Sequence, residues 1–174
     1  MPGGEGQRHR VVVSDTSVLV NFLRIDRMDL IGGLPDRFVI TDHAAVEIAN
    51  HYPAQQARLQ AALAAGLLEQ HSVTDLAALD LFRQLSETRR LGAGESAAIA
   101  YAAGSGFALA IDDRQAANQA RALLPGLVVF RTQDLMVSMI RSGLLDVAQA
   151  DAIKEAWTTA HRFRLKIGSF KELL

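Results

Sequence analysis

The chain has 174 residues, 49% of them hydrophobic and 21% charged, which suits one compact domain with a sizeable core. With 18 basic against 19 acidic residues the formal net charge is −1, so there is no global signature of a nucleic-acid binder and any such partner must be argued locally. The absence of cysteine excludes disulfides and thiolate metal sites and points to a cytoplasmic location, and no apolar run approaches the roughly 20 residues needed to span a bilayer, so no membrane is expected.

Residues 1–9, MPGGEGQRH, are glycine-rich and polar and read as a flexible tail, leaving 10–174 as the domain. "RVVVSDTS" predicts a buried strand at Val11–Val13 that stops at Ser14, Asp15, Thr16 and Ser17, with a short helix in "VLVNFLRI". "RMDLIGGL" predicts a second short helix and Arg37–Ile40 a second strand. Thr41 or Asp42 caps a helix "HAAVEIAN", which ends before Pro53 because the residue preceding proline leaves helical geometry. "AQQARLQAALAAG" is an amphipathic helix, "LLEQHSV" a strand, and "DLAALDLFRQLSETRR" a helix with Leu76, Leu79, Phe82 and Leu85 on its apolar face.

"LGAGESAAIAYAAGSG" is a small-residue helix bounded by glycines, followed by the strand "FALAI". Then come the helix "RQAANQARALL", a Pro125–Gly126 turn, the strand "LVVF", and helices over 132–142 and 147–161, with a basic excess in the last 21 residues. Short apolar strands alternating with helices predict an α/β fold with a central, mostly parallel sheet of four to five short strands flanked by helices. The apolar helices near 135–145 and 59–68 supply either a homodimer face or core.

In an open parallel sheet, ligands sit beyond the carboxyl ends of the strands. Asp15 follows the first strand there, and Asp112 and Asp113 follow the fourth. Glu47 and Glu95 are lone acids in apolar helices, and the face of Glu95 carries Ala98, Ile99 and Ala102, so that side should pack inward. A helix N-terminus should also favour the ionised form of Glu95. Two carboxylates about 5 Å apart repel by roughly 3 kcal/mol at an effective dielectric near 20, so a cluster of four must protonate or hold cations. An all-oxygen set suits Mg²⁺ or Mn²⁺ rather than zinc, and the five histidines lack metalloprotease spacing. The competing structural roles are plain: Asp15, Asp112 or Asp113 can cap helices, and Glu95 can complement a helix dipole.

In order along the chain, "VVVSDTSVLVNFLRIDRMDLI", "RFVITDHAAVEIA", "LGAGESAAIAYA" and "LAIDDRQAANQA" resemble the four acidic motifs of PIN-domain ribonucleases, most closely the VapC-like toxin branch labelled DUF3368. The resemblance covers residues 11 to about 144, and "RFRLKIGSFKELL" is similar to that branch's ending. It implies a single PIN-like domain in which Asp15, Glu47, Glu95 and one or both of Asp112 and Asp113 bind Mg²⁺ or Mn²⁺, with Thr16 or Ser17 adding a hydroxyl. Arg114, just beyond, reads either as a phosphate contact or as a solvated arginine at a helix start. One departure is Thr41, where the family usually has proline.

The implied chemistry is metal-assisted RNA hydrolysis by the toxin of a VapBC-like toxin–antitoxin pair, neutralised by a VapB-like antitoxin that occupies the acidic cleft. The alternative is a PIN-like module that binds nucleic acid or protein without turnover. A phosphoryl-transfer domain with Asp15 as nucleophile is disfavoured, because the second aspartate such enzymes place two residues on is Ser17 here.

Overall fold

In the computed structural model, which describes residues 10–89 and 91–174, five strands form one parallel sheet. They are β1 (Val11–Ser14), β2 (Arg37–Thr41), β3 (Glu69–His71), β4 (Ala108–Ala110) and β5 (Val129–Phe130), in the order β3-β2-β1-β4-β5. The expected tail over 1–9 lies outside the described residues. Between the strands run α1 (Thr16–Arg24), α2 (Met28–Gly33), α3 (Asp42–His51), α4 (Pro53–Ala64), α5 (Leu76–Thr88), α6 (Ala93–Ser105) and α7 (Arg114–Leu123). After β5 come α8 (Thr132–Arg141), α9 (Val147–His161) and a 3-10 turn at Phe170–Leu173. Among the described residues no helix is long and apolar enough to cross a membrane.

Because side chains alternate across a strand, β1 serves two cores. Val12 packs with α1, α2, α4, α8 and α9 on one face of the sheet, and Val13 packs with α5, α6 and α7 on the other. In the same way Ala108 and Ala110 face the first layer while Leu109 and Ile111 face the second. Ala97, Ala98, Ala100 and Ala102 of α6 are fully buried, and their small side chains let that helix lie close to the sheet. The two apolar segments with a double reading are core: Leu59, Ala62 and Leu68, like Leu135, Met136, Met139 and Leu145, belong to the first cluster.

The expected apolar face of α5 is corrected. Leu76 and Leu79 point outward, 79% and 38% exposed, and the inward face is Ala78, Leu81 and Leu85. The reason is the closeness of α6: a Cβ on Gly104 would lie 3.3 Å from the Cβ of Ala78, a separation that admits alanine and no leucine.

The chain turns outward in both directions from β1, to β2 and β3 on one side and to β4 and β5 on the other. Beyond the carboxyl ends of β1 and β4 lies the switch point where open α/β sheets open a crevice. The register pairs Ser14 with Ala110, and the Asp15 N–H donates to the Ala110 carbonyl at 2.8 Å. Residues following β1 and β4 are thereby delivered to one rim.

Candidate functional site

Asp15 sits at the end of β1 and caps α1. One carboxylate oxygen, Oδ2, accepts from the Ser17 N–H at 3.2 Å and the Ser17 hydroxyl at 2.6 Å. The other, Oδ1, is buried with no hydrogen-bond partner, as is the Thr16 hydroxyl beside it. The residue is 2% exposed. Burial pushes its pKa up to about 6; the Ser17 hydrogen bonds oppose that shift and the Glu47 charge adds to it. A buried carboxylate oxygen ordinarily has a hydrogen-bond partner, so an Oδ1 left unpaired among the described residues requires an explanation beyond capping.

Glu47 arrives from α3, whose N-terminus is capped by Thr41 through its hydroxyl to the Ala44 N–H at 3.2 Å. Thr41 thus supplies by hydrogen bonding the helix entry that a proline would supply by geometry. Gly94 brings Glu47 to the site. A Cβ at Gly94 would fall on Glu47 Oε2 and lie 3.2 Å from Thr16 Oγ1, so the missing side chain is the space in which α1, α3 and α6 meet.

Glu95, the next residue, is half-buried and accepts from the Gly92 N–H at 3.2 Å. Its pKa is raised, first by burial and then by the Asp15 charge, with further pushes from Asp113 and Glu47 and relief from the Gly92 N–H. The expected help from the helix N-terminus is present, in the Gly92 N–H, but it is outweighed. A helix end offers a fraction of a positive charge, which loses to desolvation and three neighbouring carboxylates.

The aspartate pair divides its work. Asp113 caps α7, taking the Ala116 N–H at 2.7 Å, and its charge reaches Glu95. Asp112 is clamped: Oδ1 accepts from the Thr132 N–H at 2.8 Å, and Oδ2 accepts from the Thr132 hydroxyl at 2.6 Å and from Asn21 Nδ2 at 3.2 Å. Asn21 Nδ2 also lies 3.2 Å from Thr132 Oγ1, which ties α1, β4 and α8 together around one carboxylate. Arg114, the first residue of α7, is exposed and makes no hydrogen bond or ion pair with these acids among the described residues.

Asp15, Glu47, Glu95 and Asp113 therefore act on one another electrostatically, with Asp112 held alongside. Among the described residues, no three Asp, Glu or His side chains are drawn together closely enough to hold a metal ion. The donor set nonetheless fits a hard divalent cation. Its groups are all oxygens, its deepest carboxylate has an unpaired oxygen, and its mutual repulsion is of the kind a cation removes.

Residues 11–174 match a family model described as PIN domain. The chain belongs to the PIN-domain family. No curated protein matches it. The PIN domain is a nuclease-type α/β fold, and nucleases of this kind typically use divalent metals.

In this PIN domain the sequence reading missed three residues. Asn21 is a lone amide within the apolar run of α1 and is 3% exposed. A polar residue at a core position was the available signal, since such a group must find a partner. Thr132 follows β5 as Asp15 follows β1, a rim position legible from topology alone. Gly94 carries no signal apart from its place between two acids, because its role is the space it leaves.

Proposed function

We propose that this PIN domain is a Mg²⁺- or Mn²⁺-dependent endoribonuclease that hydrolyses RNA phosphodiester bonds, and that it is the toxin of a VapBC-like pair. The observation that carries this reading is Asp15: a buried carboxylate with one oxygen unpaired, a pKa pushed up to about 6, and Glu47 as its charged neighbour. A fold that needed only a cap would not bury a second carboxylate oxygen without a hydrogen-bond partner at the sheet's switch point.

Asp15, Glu47, Glu95 and Asp113 would hold the cation, and Asp112 joins them if its clamp yields one oxygen. A cation bound there lowers the pKa of water and offsets charge on the phosphate. Ser17 fixes the orientation of Asp15 through Oδ2 and leaves Oδ1 without a hydrogen-bond partner among the described residues, available to a cation. Thr16 offers its unpaired hydroxyl beside it. Thr132 and Asn21 hold Asp112 in one rotamer, so no side-chain freedom is lost there when substrate arrives. Arg114 is the phosphate contact nearest these acids in sequence.

A cytoplasmic location and a VapB-like antitoxin covering the acidic rim belong to the same proposal. The test is RNA cleavage by the purified protein with Mg²⁺ or Mn²⁺, abolished by chelation and by Asp15→Asn with the fold intact. Cleavage retained by Asp15→Asn refutes the assignment. A second reading, a PIN-like binding module without turnover, is favoured by one observation, the lack of three converged ligands among the described residues. Calorimetric titration with Mn²⁺ separates the two, since no binding up to millimolar metal selects the module.

A further inference from the structure

A groove of about 500 Å³ runs between the C-terminal end of α5 and the exposed side of α7, lined by Arg89, Arg114, Gln115, Asn118, Gln119 and Ala122. Its arginines differ from those held in ion pairs. Arg10, Arg27, Arg37, Arg58 and Arg83 are each paired with a carboxylate, whereas among the described residues Arg89 and Arg114 take part in no ion pair and no side-chain hydrogen bond. No carboxylate lines the groove, and between the arginines stand side-chain amides able to donate to phosphate oxygens. The groove begins where the acidic site ends, because Arg114 follows Asp113, the cap whose charge reaches Glu95.

We infer that this groove is the track for the RNA strand leaving the cleavage site, with Arg114 and Arg89 each neutralising a backbone phosphate and Gln115 and Asn118 donating to phosphate oxygens. The inference rests on the nuclease reading and extends it to residues that touch no metal. It also gives a chain of net charge −1 a local means of holding a polyanion: two arginines without a carboxylate partner among the described residues, set beside the acidic rim. From Arg114 to Ala122 the helix rises about 12 Å, enough for a strand to lie along it rather than touch it at a point.

The experiment measures the affinity of the full chain for a short labelled single-stranded RNA across a salt series, in an Asp15→Asn background that keeps the RNA intact. Each phosphate contact contributes about 0.7 to the slope of log affinity against log salt for a single strand. Arg114→Ala and Arg89→Ala should each lower the slope by about 0.7 and weaken binding about fivefold at 0.1 M salt, the double variant by both, while Arg114→Lys keeps the slope. Arg27→Ala, remote and paired with Asp29, should leave it unchanged. An unaltered slope in the double Ala variant overturns the track, as does a loss at Arg27 equal to that at Arg114. Arginine-dependent binding of a polyglutamate peptide in place of RNA reassigns the groove to an acidic partner and equally overturns it. If unsubstituted protein with Mn²⁺ cleaves RNA while the double Ala variant keeps the full slope, the track alone falls. If unsubstituted protein neither binds nor cleaves RNA, the nuclease reading falls and takes the track with it.

Discussion

Replacing Asp15 by asparagine should stabilise the metal-free protein while destroying its metal site. Lifting a carboxyl from 3.8 to about 6 means that the ionised form is disfavoured in the folded state by about 3 kcal/mol. At low pH, below the unfolded value, the group is protonated in both states and costs nothing. As pH rises the unfolded chain releases its proton first, the folded chain binds more protons, and stability falls. The loss is complete once pH has passed about 6. Asparagine caps a helix as well as aspartate does and carries no charge, so Asp15→Asn escapes the penalty. Its new amide N–H groups replace the unpaired Oδ1 and return about 1 kcal/mol of desolvation cost. The net gain at neutral pH is about 2 kcal/mol, or about 4–8 °C in Tm for a chain of this length, and it should shrink as pH falls and give way to a deficit approaching about 1 kcal/mol below about pH 4. Trp157, the single tryptophan, is fully buried, so urea unfolding followed by its fluorescence, with chelator and from pH 4 to 7, reads the effect. The raised Glu95 also relaxes when the Asp15 charge is removed, which adds in the same direction, while Asp42, Glu69 and Asp151 are common to both proteins and cancel in the difference. A variant less stable than its parent at pH 7, or a difference independent of pH, refutes the account of Asp15 as a desolvated, repelled carboxylate.

Mn²⁺ should raise the Tm of the unsubstituted protein, equivalent to about 2.7 kcal/mol at a hundredfold excess over Kd, and leave Asp15→Asn and Glu47→Gln unmoved in a thermal shift assay. Gly94→Ala should uncouple fold from site. Alanine in a helix gains up to about 1 kcal/mol over glycine, yet its Cβ displaces Glu47, so calorimetry should show Mn²⁺ affinity down at least tenfold in a protein that unfolds no earlier. Thr132→Val keeps the shape and removes the hydroxyl on Asp112, at a cost of about 1–3 kcal/mol in urea unfolding; RNA cleavage should fall with it as Asp112 loses its orientation. Trp157→Phe removes the donor to the Asn21 carbonyl at 2.8 Å and some core volume, and a loss of about 2 kcal/mol in thermal unfolding followed by circular dichroism checks it.

Much of the fold was legible because strand and helix periods differ. Apolar runs ending in polar clusters marked β1 and β4, and Asp15 and Asp113 stood at the rim and at helix starts, so their role as helix caps could be read in advance. The inward face of α5 was legible only in part: Leu85 is buried as expected, but Leu76 and Leu79 point outward and Ala78 packs inward, a preference that only the nearness of Gly104 explains. The raised pKa of Glu95 escaped for a related reason: position in a helix is a local property, whereas burial and the charges of Asp15, Asp113 and Glu47 come from segments distant in sequence. The division between Asp112 and Asp113 needed Asn21 and Thr132, 91 and 20 residues away.

The packing around α1 has a kinetic consequence. Val12 and Phe22 share their cluster with Trp157 and Phe170, and Trp157 Nε1 closes onto the backbone carbonyl of Asn21 in α1, 136 positions away in sequence. Contacts of that separation delay folding, because the loop must be ordered before the contact rewards it. A ribosome that has made β1, α1 and every site acid up to Asp113 has still not made the side chains that seal the back of α1. The helix capped by Asp15 packs on α2, α3 and α4 first and gains its last wall only with α9, so the geometry at its start is completed late in the protein's own synthesis.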